Sequence, residues 1–311
     1  MKRIKNYILL CTTLLLTLAC SKKQENTTTP ENDGQKKIAV LLVSHGSHSE
    51  TWRNVLLDLE KSTKQEILQD TPAQAVETAF MEYNEPSIAT RLKEFDKEGY
   101  TDVLIVPVFL TVSPHSFEDI PTIVGLKESP SSMETLKIEN IERYPAKAKV
   151  HIAPLLDFSN ILEKNVLRRV KALSTQPTEE GVTLVGYGDK DYEAEWNKLF
   201  KKIGESIKDS LGVTDLNYAW CGHIAGYSSE PTQKAIEEIL KQKKRDIVIP
   251  VLVAHDENFQ VKIIGGAIDK VADNKEKVGY KPDAILPDKN VENWIVDITK
   301  QYVDKINKGE N

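Results

Sequence analysis

The stretch "IAVLLVSHG", residues 38–46, is an unbroken aliphatic run that closes on a histidine and a glycine. A run of this kind, with no polar alternation, reads as a strand buried on both faces. Behind it, residues 50–68 carry a helical pattern. "AVETAFM" (75–81) reads as a second strand, "EPSIATRLKEF" (85–95) as the start of a second helix and "DVLIVPVFL" (102–110) as a third strand. The same order then recurs. "VTLVGYG" (182–188), "EAEWNKLFKKIGESIKDSL" (193–211), "LNYAWCG" (216–222), "EPTQKAIEEIL" (230–240) and "DIVIPVLVA" (246–254) again alternate strand and helix. Trp52 answers Trp196, Glu85-Pro86-Ser87 answers Glu230-Pro231-Thr232, and Pro107-Val108 answers Pro250-Val251.

Aliphatic strands alternating with helices, written twice, predict an α/β protein of two similar flavodoxin- or Rossmann-like lobes related by a pseudo-twofold axis. Each lobe is expected to be a parallel sheet flanked by helices. The lobes are placed at 37–176 and 177–311, joined around "TQPTEEG" (175–181). Glu85 and Glu230 read as structural residues at helix starts, with proline at the first helical position, where its missing N–H costs nothing.

Residues 1–19 read as an export signal: Lys2, Arg3 and Lys5 precede an apolar core from Tyr7 to Leu18. That core is shorter than the ~20 residues needed to span a bilayer. It ends in "TLAC" and resembles a bacterial lipoprotein signal, in which Cys20 becomes the lipidated first residue. Residues 20–36 hold no aliphatic or aromatic side chain beyond that cysteine and read as a flexible tether. The expected location is therefore outside the cytoplasm, lipid-anchored at the periplasmic face or on the cell surface of a bacterial membrane. With Cys11 in the signal and Cys20 at the anchor, only Cys221 remains, so no disulfide framework is available and the core must supply stability. Loss of the three signal bases moves the net charge from −6 to −9, which argues against nucleic acid as a partner.

Six histidines have to be sorted. In open parallel sheets, ligands bind beyond the carboxyl ends of the strands. His45 follows the first strand and His115 follows the third, in "VFLTVSPHSFEDIP" (108–121), so both should open on one crevice. Neutral imidazoles converging from separate loops suit a borderline divalent metal. The repeat serves as an internal control: Gly186-Tyr187-Gly188 stands where Ser44-His45-Gly46 stands, and Asn258 occupies the place of His115. Imidazoles kept in one lobe only favour chemistry over folding. His48 is either a surface residue or an outer contact of the site, His151 an edge residue, and His223 and His255 candidates for the facing wall of the crevice. Cys221 reads as a small buried apolar residue.

"LLVSHGSHSE", "VETAFMEYNEPSI", "DVLIVPVFL" and "HSFEDIP", in this order, resemble the class II tetrapyrrole chelatases, most nearly the anaerobic sirohydrochlorin cobaltochelatase group. The resemblance is strong over residues 37–124 and rests on the repeat beyond them. It implies a chelatase-like bilobal architecture with a flat macrocycle between the lobes. It implies a lyase that inserts a divalent metal as substrate, Co²⁺ first with Fe²⁺ or Ni²⁺ as alternatives, and needs no further cofactor. Carried onto matching positions, the metal-handling and catalytic histidines are His45 and His115. The family's carboxylate falls on Glu82, with Glu85 as the neighbouring alternative. Two positions depart from the family: His48 stands where an arginine is common, and Pro114 where a glycine is common. Export also sits uneasily with a ring made in the cytoplasm. A haem- or tetrapyrrole-binding lipoprotein, for uptake or metal removal, is therefore the alternative reading, and a metal-binding protein without a macrocycle the third.

Overall fold

The computed structural model describes residues 36–310, and residues from Lys36 onward form one compact unit. The signal segment, Cys20 and nearly all of the tether lie outside the described residues. No helix among the described residues is long and apolar enough to cross a membrane.

The first half runs β1 (Ile38–Ser44), α1 (Glu50–Asp70), β2 (Ala73–Phe80), α2 (Ile88–Glu98), β3 (Asp102–Pro107), α3 (Ile120–Ile123), α4 (Pro130–Ile138), β4 (Lys149–Ile152) and α5 (Ile161–Leu173). The second half runs β5 (Glu180–Gly186), α6 (Glu193–Leu211), β6 (Leu216–Trp220), α7 (Glu230–Leu240), β7 (Arg245–Val251), α8 (Gly266–Ile268), α9 (Asn274–Lys277), β8 (Val278–Tyr280) and α10 (Lys289–Lys308). Two parallel four-stranded sheets result, ordered β2-β1-β3-β4 and β6-β5-β7-β8. The sequence repeat is therefore a repeat of topology, and the expected fold class is observed. β4 and β8 extend each sheet by a short edge strand: β4 starts two residues before His151, where "HIAPLL" (151–156) reads as a strand, and β8, with three residues, leaves no aliphatic run to read.

The central strands β1, β3 and β5 are buried along their whole length, which is why they carry no polar alternation. β1 lies beside β3 from Ile38 opposite Asp102 to Val43 opposite Pro107. β5 lies beside β7 from Glu180 opposite Arg245 to Gly186 opposite Val251. One apolar core joins the halves: Val40 and Leu42 belong to the same cluster as Leu184, Ile249, Phe200 and Ile295. The outer faces have separate cores, built on Leu92 and Phe95 of α2 in one half and on Ala235 and Ile236 of α7 in the other. Burying each large aliphatic side chain contributes about 1.5–3 kcal/mol, so the shared core makes the two sheets interdependent.

The last helix of each half crosses over. α5 packs on α6 and β7, whereas α10 packs on α1 and β3. Arg169 of α5, nearly fully buried, fastens the first crossing by donating to the Pro250 carbonyl at 2.7 Å and to Asp283.

One local expectation fails. α2 does not begin at Glu85-Pro86; Ser87 is its N-cap, and the Ser87 hydroxyl accepts from the Thr90 N–H at 3.2 Å. The Pro86 carbonyl is instead taken by the Phe80 N–H at 2.9 Å, and the Glu85 carboxylate accepts from the Ser87 N–H at 2.7 Å. A serine oxygen able to satisfy a free helical N–H outcompetes the proline as the start signal. In the second half α7 does begin at Glu230, with Pro231 in its first turn.

Candidate active site

Beyond their strands, the chains leaving β1 and β2 stay hydrogen-bonded. The Met81 N–H donates to the Ser44 carbonyl at 2.9 Å, and the Glu82 N–H to the His45 carbonyl at 2.8 Å. This pairing sets His45 and Glu82 side by side. Gly46 makes it possible: its φ is 102°, and a Cβ there would lie 1.9 Å from the Glu82 carbonyl oxygen. His115 comes from the third strand's side, as the first residue of a π-type turn, His115–Asp119.

The two imidazoles meet with Nε2 to Nε2 at 3.3 Å and ring planes 81° apart. Glu82, only 6% exposed, brings a carboxylate oxygen to 3.8 Å from His45 Nε2. One ligand atom from each of His45, Glu82 and His115 lies within 4.8 Å of the others. Glu85 is not part of this cluster: it is exposed and engaged in the turn before α2.

The hydrogen atoms can be counted. His115 Nδ1 lies 2.8 Å from Asp119 Oδ2, and His45 Nδ1 lies 3.2 Å from the Gly46 carbonyl. A carbonyl or carboxylate oxygen accepts, so each Nδ1 carries the hydrogen and donates it. Both neutral rings then turn an Nε2 lone pair toward the same point, beside a buried carboxylate. Two acceptors at 3.3 Å need a cation between them. A proton is disfavoured on His45, because burial and the neighbouring His115 both push its pKa down. Imidazoles whose second nitrogen donates to a carboxylate or a backbone carbonyl are the usual arrangement of metal-binding histidines.

His45 and His115 stand in the wall of a cavity of about 720 Å³, lined by both halves, with Glu82 buried behind them. Tyr83 and Phe109 come from the first half and Tyr187, Tyr227 and Phe259 from the second. The volume lies within the range of small-molecule sites. The remaining histidines divide. His48 lines the cavity with its ring 4.6 Å from that of Tyr83, and His223 lines it beside the Tyr227 hydroxyl at 3.1 Å. His255 is not among the lining residues; its Nδ1 donates to the Pro282 carbonyl at 2.8 Å. His151 is on the edge strand β4, 2.8 Å from Asp102, and Cys221 is buried, its thiol donating to the Gly186 carbonyl at 3.2 Å. Asn258 opens the second half's own π-type turn, at the position equivalent to His115.

Two kinds of participant escaped the sequence. Asp119 orients His115, and its signal was present in the i, i+4 spacing of "HSFED". Tyr83 and Tyr227 reach the cavity through backbone geometry that no residue pattern announces.

Comparison with known proteins places this geometry in context. The fold is that of the solved chelatases: the sirohydrochlorin chelatase SirB from Bacillus subtilis subspecies spizizenii, in complex with cobalt, superposes with a TM-score of 0.62 at 18% identity, covering 86% of this chain and 96% of that one. Residues 39–173, the half that carries His45, Glu82 and His115, match the CbiX family. The sirohydrochlorin cobaltochelatase of Methanococcus maripaludis is 36% identical over 90 residues, which is 29% of this chain and 60% of that protein. The sirohydrochlorin ferrochelatase of Bacillus subtilis is 26% identical over 155 residues, half of this chain and 52% of that protein. By sequence, the chain thus spans less than two thirds of the length of these two curated relatives. Over residues 39–173 the resemblance to class II chelatases is met.

Proposed function

We propose that the protein is a tetrapyrrole metal chelatase, a lyase in which a divalent metal held by His45 and His115 is inserted into a ring bound in the cavity between the two halves. The observation that carries this reading is the pair of Nε2 lone pairs converging at 3.3 Å beside buried Glu82. The names of the relatives support cobalt or iron as the metal, with cobalt taken first.

The chemistry asked of the chain is limited. As the metal enters the ring, two pyrrole N–H protons must leave, and the ion must shed its other ligands. Neutral imidazoles hold the ion without adding charge to the cavity, and once the ion has passed to the ring an Nε2 lone pair is free to accept one of the displaced protons. Glu82 offsets the positive charge that passes through, and Asp119 keeps His115 in the tautomer with its Nε2 lone pair free. Wall contacts remote from the metal supply the binding energy that bends the ring toward the incoming ion.

The test is to mix the protein with Co²⁺, Fe²⁺ or Ni²⁺ and a panel of free-base tetrapyrroles that includes sirohydrochlorin, and to follow the change in ring absorbance. Insertion is expected for at least one pair. A His45→Ala, His115→Ala double variant as fast as the wild type would remove the assignment, and ring binding without turnover would favour the uptake reading.

The proposal includes export and lipid attachment at Cys20. Its support is the residue pattern of 1–36. Cys20→Ser is expected to release the protein from the membrane fraction and to abolish acyl labelling; an unchanged distribution would refute the anchor.

A further inference from the structure

The repeat builds one corner twice, and the second copy has lost its metal ligands. Beyond β5 and β6 the chains pair as they do beyond β1 and β2: the Cys221 N–H donates to the Gly186 carbonyl and the Gly222 N–H to the Tyr187 carbonyl, both at 2.9 Å. Tyr187 thus stands where His45 stands, and Gly222 where Glu82 stands. A Cβ at Gly222 would lie 2.7 Å from the Tyr187 ring and from the Tyr187 carbonyl oxygen, so this corner has no room for a carboxylate. Asn258 already occupies the position of His115.

The second corner holds a row of hydrogen-bonding side chains instead. The Tyr187 and Tyr227 hydroxyls are 3.1 Å apart, and the Tyr227 hydroxyl lies 3.1 Å from Nδ1 and 3.2 Å from Nε2 of His223. His223 packs edge to face on both tyrosines, with centroids 5.5 Å from Tyr187 and 5.2 Å from Tyr227. Tyr227 has left-handed backbone, with φ of 55°, and its N–H donates to the Gly222 carbonyl at 3.1 Å. Bulky residues rarely adopt that conformation. Here it brings the Tyr227 hydroxyl back to an imidazole four residues earlier. All three side chains line the cavity, and His223 is exposed. Burial and the Tyr227 hydroxyl push the Tyr187 pKa up, so Tyr187 keeps its hydrogen.

A neutral imidazole has one N–H and one lone pair. The Tyr227 oxygen, set between the two nitrogens, accepts the N–H from whichever nitrogen bears it, and passes its own hydrogen to the Tyr187 oxygen. The other nitrogen keeps its lone pair for the cavity. Once that nitrogen is protonated, the bond to Tyr227 has a charged donor and is roughly twice as strong. Insertion displaces two pyrrole protons. The Nε2 lone pairs of His45 and His115 are committed to the ion until it has left them, and the ion covers the ring face on their side. A ring held between the halves turns its other face to the second half, where His223 is the imidazole lining the cavity.

We propose that His223 is the proton acceptor on the ring face turned away from the metal, with Tyr227 and Tyr187 stabilising its protonated form. A pyrrole N–H bond breaks, its electron pair stays on the nitrogen for the incoming ion, and the proton bonds to the free nitrogen of His223. The exposed imidazole then gives that proton to water, while the second pyrrole proton goes to an Nε2 vacated on the metal side. This rests on the chelatase reading above and adds a catalytic residue to it.

The experiment uses the full-length protein in excess over sirohydrochlorin, adds Co²⁺ and follows ring absorbance through a single turnover. Ring affinity without metal is read by tryptophan quenching, and Co²⁺ affinity without ring by the cobalt bands. His223→Ala and His223→Gln are expected to leave both affinities unchanged and to slow insertion by about 100-fold or more, the usual worth of a positioned acid or base. Glutamine keeps the polarity of the position but accepts no proton, so it separates proton transfer from packing. Tyr227→Phe is expected to slow insertion by roughly tenfold, the worth of one hydrogen bond to a charged group, again with both affinities unchanged. His223→Gln as fast as the wild type overturns this proposal and leaves the chelatase reading standing. So does a loss of ring affinity with an unchanged rate at saturating ring, which would make His223 a face contact only. Absence of insertion by the wild type into sirohydrochlorin or any other ring of the panel overturns both.

Discussion

Replacing Asp246 by asparagine should make the stability difference between variant and wild type strongly dependent on pH. Asp246 is the second residue of β7 and is fully buried. Its Oδ2 accepts from the Thr183 hydroxyl at 2.6 Å, whereas Oδ1 has no partner among the described residues. Asp102, which opens β3 in the other sheet, has the His151 imidazole beside it at 2.8 Å; among the described residues Asp246 has no basic side chain hydrogen-bonded to it. Burial accordingly pushes the Asp246 pKa from the ordinary 3.8 up to about 7. A folded-state pKa above the unfolded one means that the native state binds the extra proton between those values. Stability therefore falls as pH rises from about 4 to about 7, by ~1.4 kcal/mol per pH unit and ~4 kcal/mol in all. Asparagine abolishes that titration and keeps an oxygen for Thr183, but it places an unpaired N–H₂ where Oδ1 stood, a cost of about 1–3 kcal/mol at every pH. The variant should be the less stable protein at pH 4 and the more stable one at pH 8. Urea denaturation followed by tryptophan fluorescence, at half-unit steps across that range, measures the difference. Other titrating groups cancel in it. A difference constant from pH 4 to pH 8 would show that the carboxyl ionises normally in the fold, and would refute the reasoning.

Three further outcomes are expected. Asp119→Ala removes the acceptor that holds His115 Nδ1–H and should weaken Co²⁺ binding by about 10–100-fold, read by titration of the cobalt absorption bands, with little change in ring binding. Gly46→Ala forces a methyl group against the Glu82 carbonyl in a left-handed position; a loss of about 1–3 kcal/mol or more in denaturation, together with loss of metal binding, is expected, and a fully active, fully stable variant would contradict the site geometry. Arg169→Met cuts the tie from α5 to the second sheet, leaving the Pro250 carbonyl without this donor and half-buried Asp283 with Lys281 at 3.9 Å; about 1–3 kcal/mol should be lost in urea denaturation, in one transition rather than two because the halves share a core.

Much of the fold was legible because its signals are local. The aliphatic runs of β1, β3, β5 and β7 record burial on both faces, and the repeat of those runs records the second sheet. His45 and His115 were legible for a related reason: both follow such runs, and strand ends are where an open parallel sheet binds ligands. The start of α2 was misread because Pro86 and Ser87 both signal a helix start, and only a contact with Phe80, made through folding, shows which one is used. The partners of α5 and α10 were invisible, since an amphipathic pattern states that a helix has an apolar face but not which sheet receives it.

By itself, then, the residue order determined the class of fold, its duplication and the end of the sheet at which His45 and His115 stand, because strand burial and helix periodicity are written within a few residues of each other. Tertiary structure alone decided that His45, Glu82 and His115 share one point, that Asp119 sets a tautomer, and that Tyr83 and Tyr227 stand exposed over the cavity. These are distances between loops far apart in the chain, or backbone angles imposed by neighbours, and neither has a counterpart in local sequence.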